Sequence, residues 1–416
     1  MRRSLEWLYP GLGIKRWLLL AGVGGVLLVY SAIFAVGVLW SPQLMSGLGM
    51  GWLHDRHWAA VLLAFDGIVF GAIALFIGAR KALLFRRTGP ETAGEIRAAG
   101  RLARGPRVVA VGGGNGLAAL LRGLKTHTSN LTAVVTMADD GGSSGLLRRD
   151  MGMPPPGDLR NCLVALADDE SMMSQLFQYR FPEGGGLQGH SFGNLFMAAL
   201  SEVTGDFERA VREATHVLKV RGRVLPSTLD DVVLHAQLED GGQVSGESTI
   251  TAAARLPRRV WLTPEAPRAV PQAVAALSRA DLVVLGPGSL YTSVIPNLLV
   301  PEVHAAIRDT RGWVVYVCNV MTQPGETDGY TAADHLEALH RHGLAGLVDA
   351  VLVNDAPVSP ELAASYERHG SGPVAIDEER LRALGVKLVR ARVAAESDVV
   401  RHDSARLSQA LMRLLR

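Results

Sequence analysis

Cysteine is scarce in this sequence: Cys162 and Cys318 are the only two among 416 residues. Neither has a second Cys or a His at the spacing of metal ligands, so we expect neither a disulfide framework nor a zinc site. A surplus of one charge is lacking too, because 42 Lys and Arg residues are balanced by 40 Asp and Glu residues. This balance differs from the strongly basic footprint of a nucleic-acid-binding domain, and we expect no nucleic acid partner.

Two signatures of nucleotide-binding proteins are also missing. The chain contains no G-x-x-x-x-G-K-[ST] stretch, which argues against a P-loop ATPase. The glycine-rich turn at Gly112–Gly116 departs from the dinucleotide fingerprint G-x-G-x-x-G, because Leu117 occupies the third glycine position. This departure counts against a plain NAD-binding module, which stays an alternative for this chain.

Long apolar runs are concentrated near the amino terminus. Residues 17–40 form an uncharged run longer than the roughly 20 residues that a helix needs to cross the hydrocarbon of a bilayer. Residues 57–79 form a second run, with Asp66 near its middle. The pattern predicts two transmembrane helices. Asp66 is then either a polar contact within a bundle or an oligomer, or a protonated carboxyl packed against the first helix.

Basic residues flank the two runs on their outer sides. They are Arg2, Arg3, Lys15, Arg16, Arg80, Lys81, Arg86 and Arg87. The positive-inside rule places both chain ends in the cytoplasm. We expect residues 1–87 to form a hairpin in the cytoplasmic membrane, with both termini and the soluble domain cytoplasmic in a multi-pass protein. Residues 88–105 are expected to form a polar linker.

From residue 106 onward, apolar β-branched runs alternate with helical patterns. This alternation is typical of a parallel sheet with helices on both faces. Between residues 150 and 206 the pattern is mostly helical, and residues 232–247 predict a hairpin. We expect residues 106–416 to form one Rossmann-like, doubly wound, mainly parallel α/β domain with a helical and hairpin insertion. The predicted strands begin at Arg107, Leu131, Asp281, Gly312 and Asp349.

Glycine-rich turns follow two of the predicted strands. Such turns let the backbone approach a ligand closely, and the amino terminus of the next helix offers unpaired N–H groups to a phosphate. Tyr291 in the second turn is suited to stack on a base or to bond a sugar. The alternative for the first turn is a tight turn without a ligand. The ligand-binding candidates are Gly113, Gly114, Asn115, Gly116, Gly286, Gly288, Ser289 and Tyr291.

A loop rich in acids, glycine and serine follows the second predicted strand. Paired acids at the carboxyl end of a strand can bind a divalent cation, hold a ribose hydroxyl or act as a base. Asp139 and Asp140 are therefore candidate metal ligands as well as ligand-binding residues. The alternative is a solvated loop in which Asp139 caps a turn. The candidates in this loop are Asp139, Asp140, Gly142, Ser143 and Ser144.

Arg160 and Asn161 lie at the start of a predicted helix. The Arg160 guanidinium can present a bidentate fork to phosphate or carboxylate. The neighbouring Asp158 is explained equally well as a cap of that helix. Arg160 and Asn161 are therefore candidates for binding an anionic group, and a purely structural reading stays open for Asp158.

Two further motifs supply polar candidates. His190 and Asn194 flank a predicted helix start, where they can bind a phosphate, donate a proton or serve only in capping and packing. Asn319 and Thr322 lie in a loop after another predicted strand. That loop is either part of the ligand site or a polar surface loop.

Six motifs, taken together and in this order, resemble the YvcK/CofD family, and specifically its YvcK or gluconeogenesis factor branch. The resemblance extends from about residue 107 to near the carboxyl terminus. It implies a Rossmann-like fold with the ligand at the carboxyl ends of the strands, and it puts Asn115, Asp139, Asp140, Asn194 and Tyr291 in nucleotide-facing motifs. The membrane hairpin departs from that family's usual plan. The motifs are VGGGNG, ADDGGSSGLLR, PPPGDLRNCLVAL, GHSFGNL, GPGSLYTSVIPNLLV and CNVMTQPGETDGYTAADH.

The resemblance implies a UDP-sugar ligand, such as UDP-N-acetylglucosamine, and a regulatory role in cell shape and envelope growth on gluconeogenic carbon sources. No cofactor is required in this interpretation, although Mg²⁺ is compatible with it. The implied partners are proteins of cell-wall synthesis, further copies of the chain, and the membrane through the hairpin. The alternative is a Mg²⁺-dependent transfer of a phospholactyl group from a nucleotide diphosphate carrier. Whether a reaction is catalysed stays open, and no catalytic residue is assigned.

Overall fold

The computed structural model describes residues 15–40, 57–88, 99–167, 172–182 and 184–415. The expected external turn at 41–56 and the linker segment at 89–98 lie outside the described residues. The chain divides into two compact units, Met1–Arg101 and Leu102–Arg416. All of the described strands belong to the second unit.

The first unit contains two long helices, α1 (Lys15–Trp40) and α2 (His57–Thr88). Glycines let their backbones approach closely. A Cβ atom added at Gly24 would lie 2.7 Å from the carbonyl oxygen of Gly71, and one at Gly78 would lie 2.7 Å from that of Trp17. Real Cβ atoms do not approach a backbone oxygen so closely, so larger residues at these positions would separate the helices.

The structure contradicts the expected membrane spans and the expected multi-pass location in the membrane. In the part of the chain that the structure describes, no helix is both long and apolar enough to cross a bilayer. The sequence prediction rested on the apolar windows 17–40 and 57–79 alone.

A seven-stranded sheet organises the second unit. Its strand order is β10-β9-β8-β7-β1-β2-β3, and all of its pairings are parallel. Two small antiparallel sheets, β5-β4-β6 and β11-β12, accompany it. The strands are β1 (Val108–Gly112), β2 (Leu131–Val135), β3 (Arg223–Pro226), β4 (Val233–Leu238), β5 (Gln243–Ser245), β6 (Pro257–Thr263), β7 (Leu282–Leu285), β8 (Trp313–Val317), β9 (Ala350–Asn354), β10 (Lys387–Ala391), β11 (Ala394–Glu396) and β12 (Val400–His402).

The direction of the chain across the large sheet reverses at β1. From β1 it proceeds through β2 to β3 on one side, and from β7 through β10 on the other. Strands β1, β2 and β7 are buried along their whole length, as expected of parallel strands covered on both faces. The predicted doubly wound parallel sheet is therefore confirmed. Open α/β sheets bind ligands outside the carboxyl ends of the strands at such a reversal, which here lies between β1 and β7.

Helices connect the parallel strands, and α3 packs against both α5 and α16. The sequence pattern indicates helices over 271–280, 300–309 and 333–342, and the structure has α10, α12 and α13 there. The helices of the second unit are α3 (Gly114–Leu124), α4 (Gly142–Met151), α5 (Gly157–Leu166), α6 (Met172–Gln178), α7 (Phe192–Thr204), α8 (Phe207–Val217), α9 (Glu247–Ala252), α10 (Pro271–Leu277), α11 (Ile295–Leu298), α12 (Pro301–Arg308), α13 (Ala332–Leu339), α14 (Pro360–Glu367), α15 (Glu378–Ala383) and α16 (Ser404–Arg413).

The predicted hairpin is present between β4 and β5. In its turn, the Asp240 side chain accepts a hydrogen bond from the Gly242 N–H at 2.9 Å, an arrangement that favours chain reversal. A third strand, β6, pairs antiparallel with β4 and completes a small sheet. The predicted insertion therefore comprises the helical segment that includes α6 to α8 and this three-stranded sheet.

Candidate functional site

A cavity of about 660 Å³ opens at the carboxyl ends of β1, β7 and β8. Its walls are the turns that follow these three strands, together with α14 and β12. It therefore lies at the reversal of the sheet, where a ligand is expected. The predicted residues that line it are Gly113, Gly114, Asn115, Gly116, Gly288, Ser289, Asn319 and Thr322.

The turn after β1 packs tightly against the turn after β7. A Cβ atom at Gly116 would lie 2.6 Å from the carbonyl oxygen of Pro287. Gly114 has a φ of 65°, in the left-handed region that glycine adopts without steric cost. No side chain caps the amino terminus of α3. An anion in the cavity would therefore meet backbone N–H groups and the positive end of the α3 dipole.

The turns after β7 and β8 are joined by side-chain hydrogen bonds. Gln323 donates from Nε2 to Ser289 Oγ at 2.8 Å, and Asn319 donates from Nδ2 to Gln323 Oε1 at 3.2 Å. Thr322 Oγ1 accepts from the Gly372 N–H at 2.9 Å. These polar groups line one wall of the cavity, and Gln323 holds that wall to the second glycine-rich turn.

Tyr291 does not line the cavity. It is completely buried in a π-helical turn, Leu290–Val294, and its hydroxyl lies 2.9 Å from the Tyr330 hydroxyl and 3.2 Å from Arg341 Nη2. Gly286 also lies behind the lining, where its N–H donates to Val111 O at 2.8 Å and continues the pairing of β7 with β1. The structure thus places Tyr291 in support of the second turn, on the side away from the cavity.

Asp139 and Asp140 do not line the cavity either. Asp139 Oδ1 accepts from the Gly141 N–H at 2.9 Å, and Asp140 Oδ1 accepts from the Ser248 N–H at 2.8 Å. The first bond caps a turn, as in the alternative considered for Asp139. The second bond fixes the start of α9. Among the described residues, no three His, Cys, Asp or Glu side chains are placed to hold a metal ion.

Asp158 and Glu247 lie close to Asp139 and have raised pKa values. Burial raises the pKa of Asp158 to about 6, and the charge of Asp139 adds to this effect. Burial also raises the pKa of Glu247 to about 8, again with a contribution from Asp139. Desolvation and like charges both favour the protonated form of a carboxyl group. Glu247 is therefore expected to hold a proton at neutral pH.

The free energy of unfolding is predicted to fall as the pH rises from 6 to 9. The pKa of Glu247 is about 8 in the folded chain and 4.5 ordinarily. Its stabilising contribution is complete below pH 4.5 and is lost as the pH rises through 8. The slope is at most about 1.4 kcal/mol per pH unit and is reduced by partial solvent exposure.

Urea unfolding at pH 6 and pH 9 measures this effect of Glu247. The variant Glu247→Gln should show a smaller difference between the two pH values than the unmodified chain. The matched control Glu265→Gln changes an exposed glutamate and should keep the full difference. The same pH dependence in Glu247→Gln and in the unmodified chain would contradict the assignment to Glu247.

The rest of the acidic loop starts α4. Gly142 has a φ of 46°, and Ser144 Oγ accepts from the Gly157 N–H at 3.1 Å. Ser143 Oγ lies 3.0 Å from His190 Nδ1 and accepts from Asn194 Nδ2 at 3.0 Å. These contacts join α4 to the starts of α5 and α7, outside the lining of the cavity.

Ser143 and Ser191 each stand at the centre of a G-x-S-x-G stretch, the pattern of nucleophile elbows in hydrolases. Ser191 caps α7 by accepting from the Asn194 N–H. Within the described residues, no carboxylate is hydrogen-bonded to the His190 ring, so a Ser-His-Asp triad is not formed. Both G-x-S-x-G stretches are therefore explained as the starts of helices α4 and α7.

Arg160 and Asn161 line a second cavity, which shares Asn115, Ala119, Arg401 and His402 with the first. The buried Arg160 donates from Nη1 to Ser191 Oγ and from Nη2 to Asn161 Oδ1, the latter at 2.8 Å. The candidates for anion binding are therefore divided between two adjoining cavities.

The sequence did not point to the far wall of the first cavity. Tyr366, His369, Arg401 and His402 line it. Burial lowers the pKa of His402 to about 4, so its ring is neutral at pH 7. The Tyr366 hydroxyl accepts from the Val400 N–H at 3.0 Å and so fixes the helix against β12. These residues follow no glycine-rich turn, and only the fold brings them to the cavity.

The fold and the site together define a Rossmann-like α/β protein with a ligand cavity between two glycine-rich turns. The chain belongs to the CofD family: the model of that family, 2-phospho-L-lactate transferase CofD, matches residues 108–394. The predicted family membership is confirmed.

Several relatives carry the name gluconeogenesis factor. The one from Bacillus subtilis is 49% identical and aligns with 75% of this chain and 98% of its own length. The one from Halalkalibacterium halodurans is 50% identical, over 73% of this chain and 95% of its own. A crystal structure of a Bacillus halodurans protein, 49% identical, superposes with a TM-score of 0.72 and covers 74% of this chain and 100% of its own. The chain is thus similar to these gluconeogenesis factors over about three quarters of its length.

Proposed function

We propose that the protein binds a UDP-sugar of the UDP-N-acetylglucosamine type in the first cavity and acts as a regulator. The observation that carries this proposal is the cavity between the turns at Gly113–Gly116 and Gly286–Ser289. Its volume of about 660 Å³ lies within the range of small-molecule sites. Two glycine-rich turns and a helix amino terminus supply the backbone N–H groups that a diphosphate requires.

The remaining walls fit the other parts of such a ligand. The amide groups of Asn319 and Gln323 can exchange hydrogen bonds with the hydroxyl and acetamido groups of a sugar. Tyr366 offers an aromatic ring to a pyrimidine base. The neutral His402 can accept or donate one further bond.

The regulatory part of the proposal rests on the relatives named gluconeogenesis factor. We propose that the bound UDP-sugar reports the supply of envelope precursors on gluconeogenic carbon sources and so links it to cell shape. The proposed partners are proteins of cell-wall synthesis and a second copy of the chain. Binding in this role requires no cofactor and no turnover.

The test is calorimetric titration of the full chain with UDP-N-acetylglucosamine beside UDP, GDP and NAD, each with and without Mg²⁺. We expect selective binding of the UDP-sugar, without its consumption and without a need for Mg²⁺. Absence of UDP-N-acetylglucosamine binding would remove the basis of the proposal. Preferential binding of NAD would indicate a plain dinucleotide module instead.

Gln323→Ala should weaken UDP-N-acetylglucosamine binding about tenfold, because it removes a group of the cavity wall and its bond to Ser289. Gln272→Ala is a matched control, since Gln272 bonds Glu208 outside this cavity. Calorimetry measures the dissociation constants of the two variants for comparison. Equal affinities would show that the wall at Gln323 does not contact the ligand.

The acids near the cavity favour a second candidate function, the transfer of a phospholactyl-type group from a nucleotide diphosphate carrier. The charges of Asp139, Asp140 and Asp158 all contribute to the raised pKa of Glu247, and carboxylates attract the Mg²⁺ that accompanies a diphosphate. The same titration separates the two functions. Preference for GDP with Mg²⁺, or consumption of a donor, would favour the transferase.

A further inference from the structure

The second cavity, of about 700 Å³, adjoins the first, and Asn115, Ala119, Arg401 and His402 line both. Helices α3 and α5 form one side, and the segment from β11 to α16 forms the other. Arg122, Arg160 and Arg401 line it from three different elements. The walls thus bring three cations toward one open cavity beside the proposed UDP-sugar site.

Arg160 is buried without a paired acid. Its side chain is 8% exposed, and no carboxylate lies within ion-pair distance of it in the described part of the chain. Its Nε–H is buried and lacks a hydrogen-bond partner. Burial lowers the pKa of Arg160 and the nearby charge of Arg180 lowers it further, whereas the charges of Asp158 and Asp139 act in the opposite direction. A buried cation in this situation is costly unless an anion joins it.

The acids on the walls of the second cavity do not supply that anion. Glu396 accepts from the Ser359 N–H at 2.8 Å. Asp403 accepts from the Arg406 N–H at 2.8 Å and caps α16. Both carboxylates are therefore engaged by backbone groups. Within the described residues, neither forms an ion pair with an arginine of this cavity.

We propose that the second cavity binds the phosphoryl group of a second small molecule. Arginine forks match the oxygens of a phosphate, and the group would offset the buried charge of Arg160. Because Asn115 lines both cavities, the two ligands would lie side by side. The protein would then respond to a pair of metabolites, which goes beyond the proposed binding of one UDP-sugar. Binding of the phosphoryl group does not depend on the first ligand.

The test is a phosphorus NMR titration of inorganic phosphate with the full chain. We expect saturable phosphate binding, weakened about tenfold by Arg122→Gln, because one charge-assisted hydrogen bond is lost. Arg122 is exposed at the rim, so this substitution leaves the core intact. The matched control is Arg209→Gln, an exposed arginine on α8 outside the cavity, which should bind phosphate normally.

Two further variants and a competition experiment locate the bound phosphate. Arg160→Met, checked by its melting curve, should abolish binding, whereas Ser289→Ala in the first cavity should leave it unchanged. Saturating UDP-N-acetylglucosamine should not displace the phosphate. No phosphate binding, full binding by Arg122→Gln, or competitive displacement by the UDP-sugar would overturn the proposal. If UDP-N-acetylglucosamine fails to bind while phosphate binds through Arg122, only the proposed UDP-sugar function fails.

Discussion

Replacing Gly116 with valine is expected to weaken UDP-N-acetylglucosamine binding by at least about 100-fold. The new Cβ would lie 2.6 Å from the carbonyl oxygen of Pro287 and 2.9 Å from its carbonyl carbon. Both atoms belong to the backbone of the opposite turn, so they cannot rotate away as a side chain would. The two glycine-rich turns would separate, and the N–H groups aimed at the diphosphate would lose their arrangement.

The control for this substitution is Gly185→Val. No atom lies within 4 Å of a Cβ atom at Gly185, so valine fits there without displacing the chain. Calorimetric affinities and melting curves of both variants separate a local effect from unfolding. A folded Gly116→Val protein that binds the UDP-sugar as well as Gly185→Val does would show that the ligand site lies elsewhere.

Replacing Glu326 with alanine is expected to lower the free energy of unfolding by about 3 kcal/mol. The Glu326 side chain is only 2% exposed and accepts from Thr292 Oγ1 at 3.0 Å and from the Tyr291 N–H at 3.4 Å. The substitution leaves both donors buried without an acceptor and creates a cavity. Because these donors belong to the π-helical turn after Ser289, ligand affinity should fall as well.

Two companion variants define the origin of that loss. Glu326→Gln keeps an acceptor oxygen in nearly the same volume and should cost less than half as much as the alanine variant. Glu361→Ala changes an exposed acid at the start of α14 and should cost little. Urea unfolding measures all three. A Glu326→Ala protein as stable as Glu361→Ala would mean that Glu326 does not hold the turn.

The central part of the fold could be predicted because its strands are buried on both faces. Such strands appear in the sequence as continuous apolar β-branched runs, as in β1, β2 and β7. The edge strands β3 and β10 were not predicted. Strand β3 begins with Arg223, and strand β10 contains Lys387 and Arg390, so neither strand is a continuous apolar run. Their pairing is determined by neighbours that are distant in the chain.

The glycine-rich turns were recognisable because their chemistry is local. Backbone approach and helix starts follow from residues next to one another, and Gly113 to Gly116 and Ser289 do line the cavity. The direction of a side chain is not local in this way. Tyr291 points away from the cavity because the π-helical turn rotates it toward Tyr330. Tyr366 and Arg401 reach the cavity through contacts that no short motif encodes.

The contacts of the acidic loop could not be predicted from its sequence either. Its composition suits a cation, a sugar or a turn, and the sequence left these alternatives open. Asp139 and Asp140 each accept a backbone N–H bond, and these contacts were decided by the position of α9 and by the turn at Gly141. The apolar windows at the amino terminus likewise predicted membrane spans that the described helices do not provide.

Amide hydrogen exchange of the full chain, with and without UDP-N-acetylglucosamine, tests the central claim most directly. A ligand held between the two glycine-rich turns should slow exchange at Gly114–Gly116 and at Gly288–Ser289 together, because their N–H groups would be bonded to the diphosphate. Exchange in the exposed loop at Gly184–Gly186 should not change. Unaltered exchange at both turns under saturating ligand, or protection confined to another part of the chain, would contradict the account.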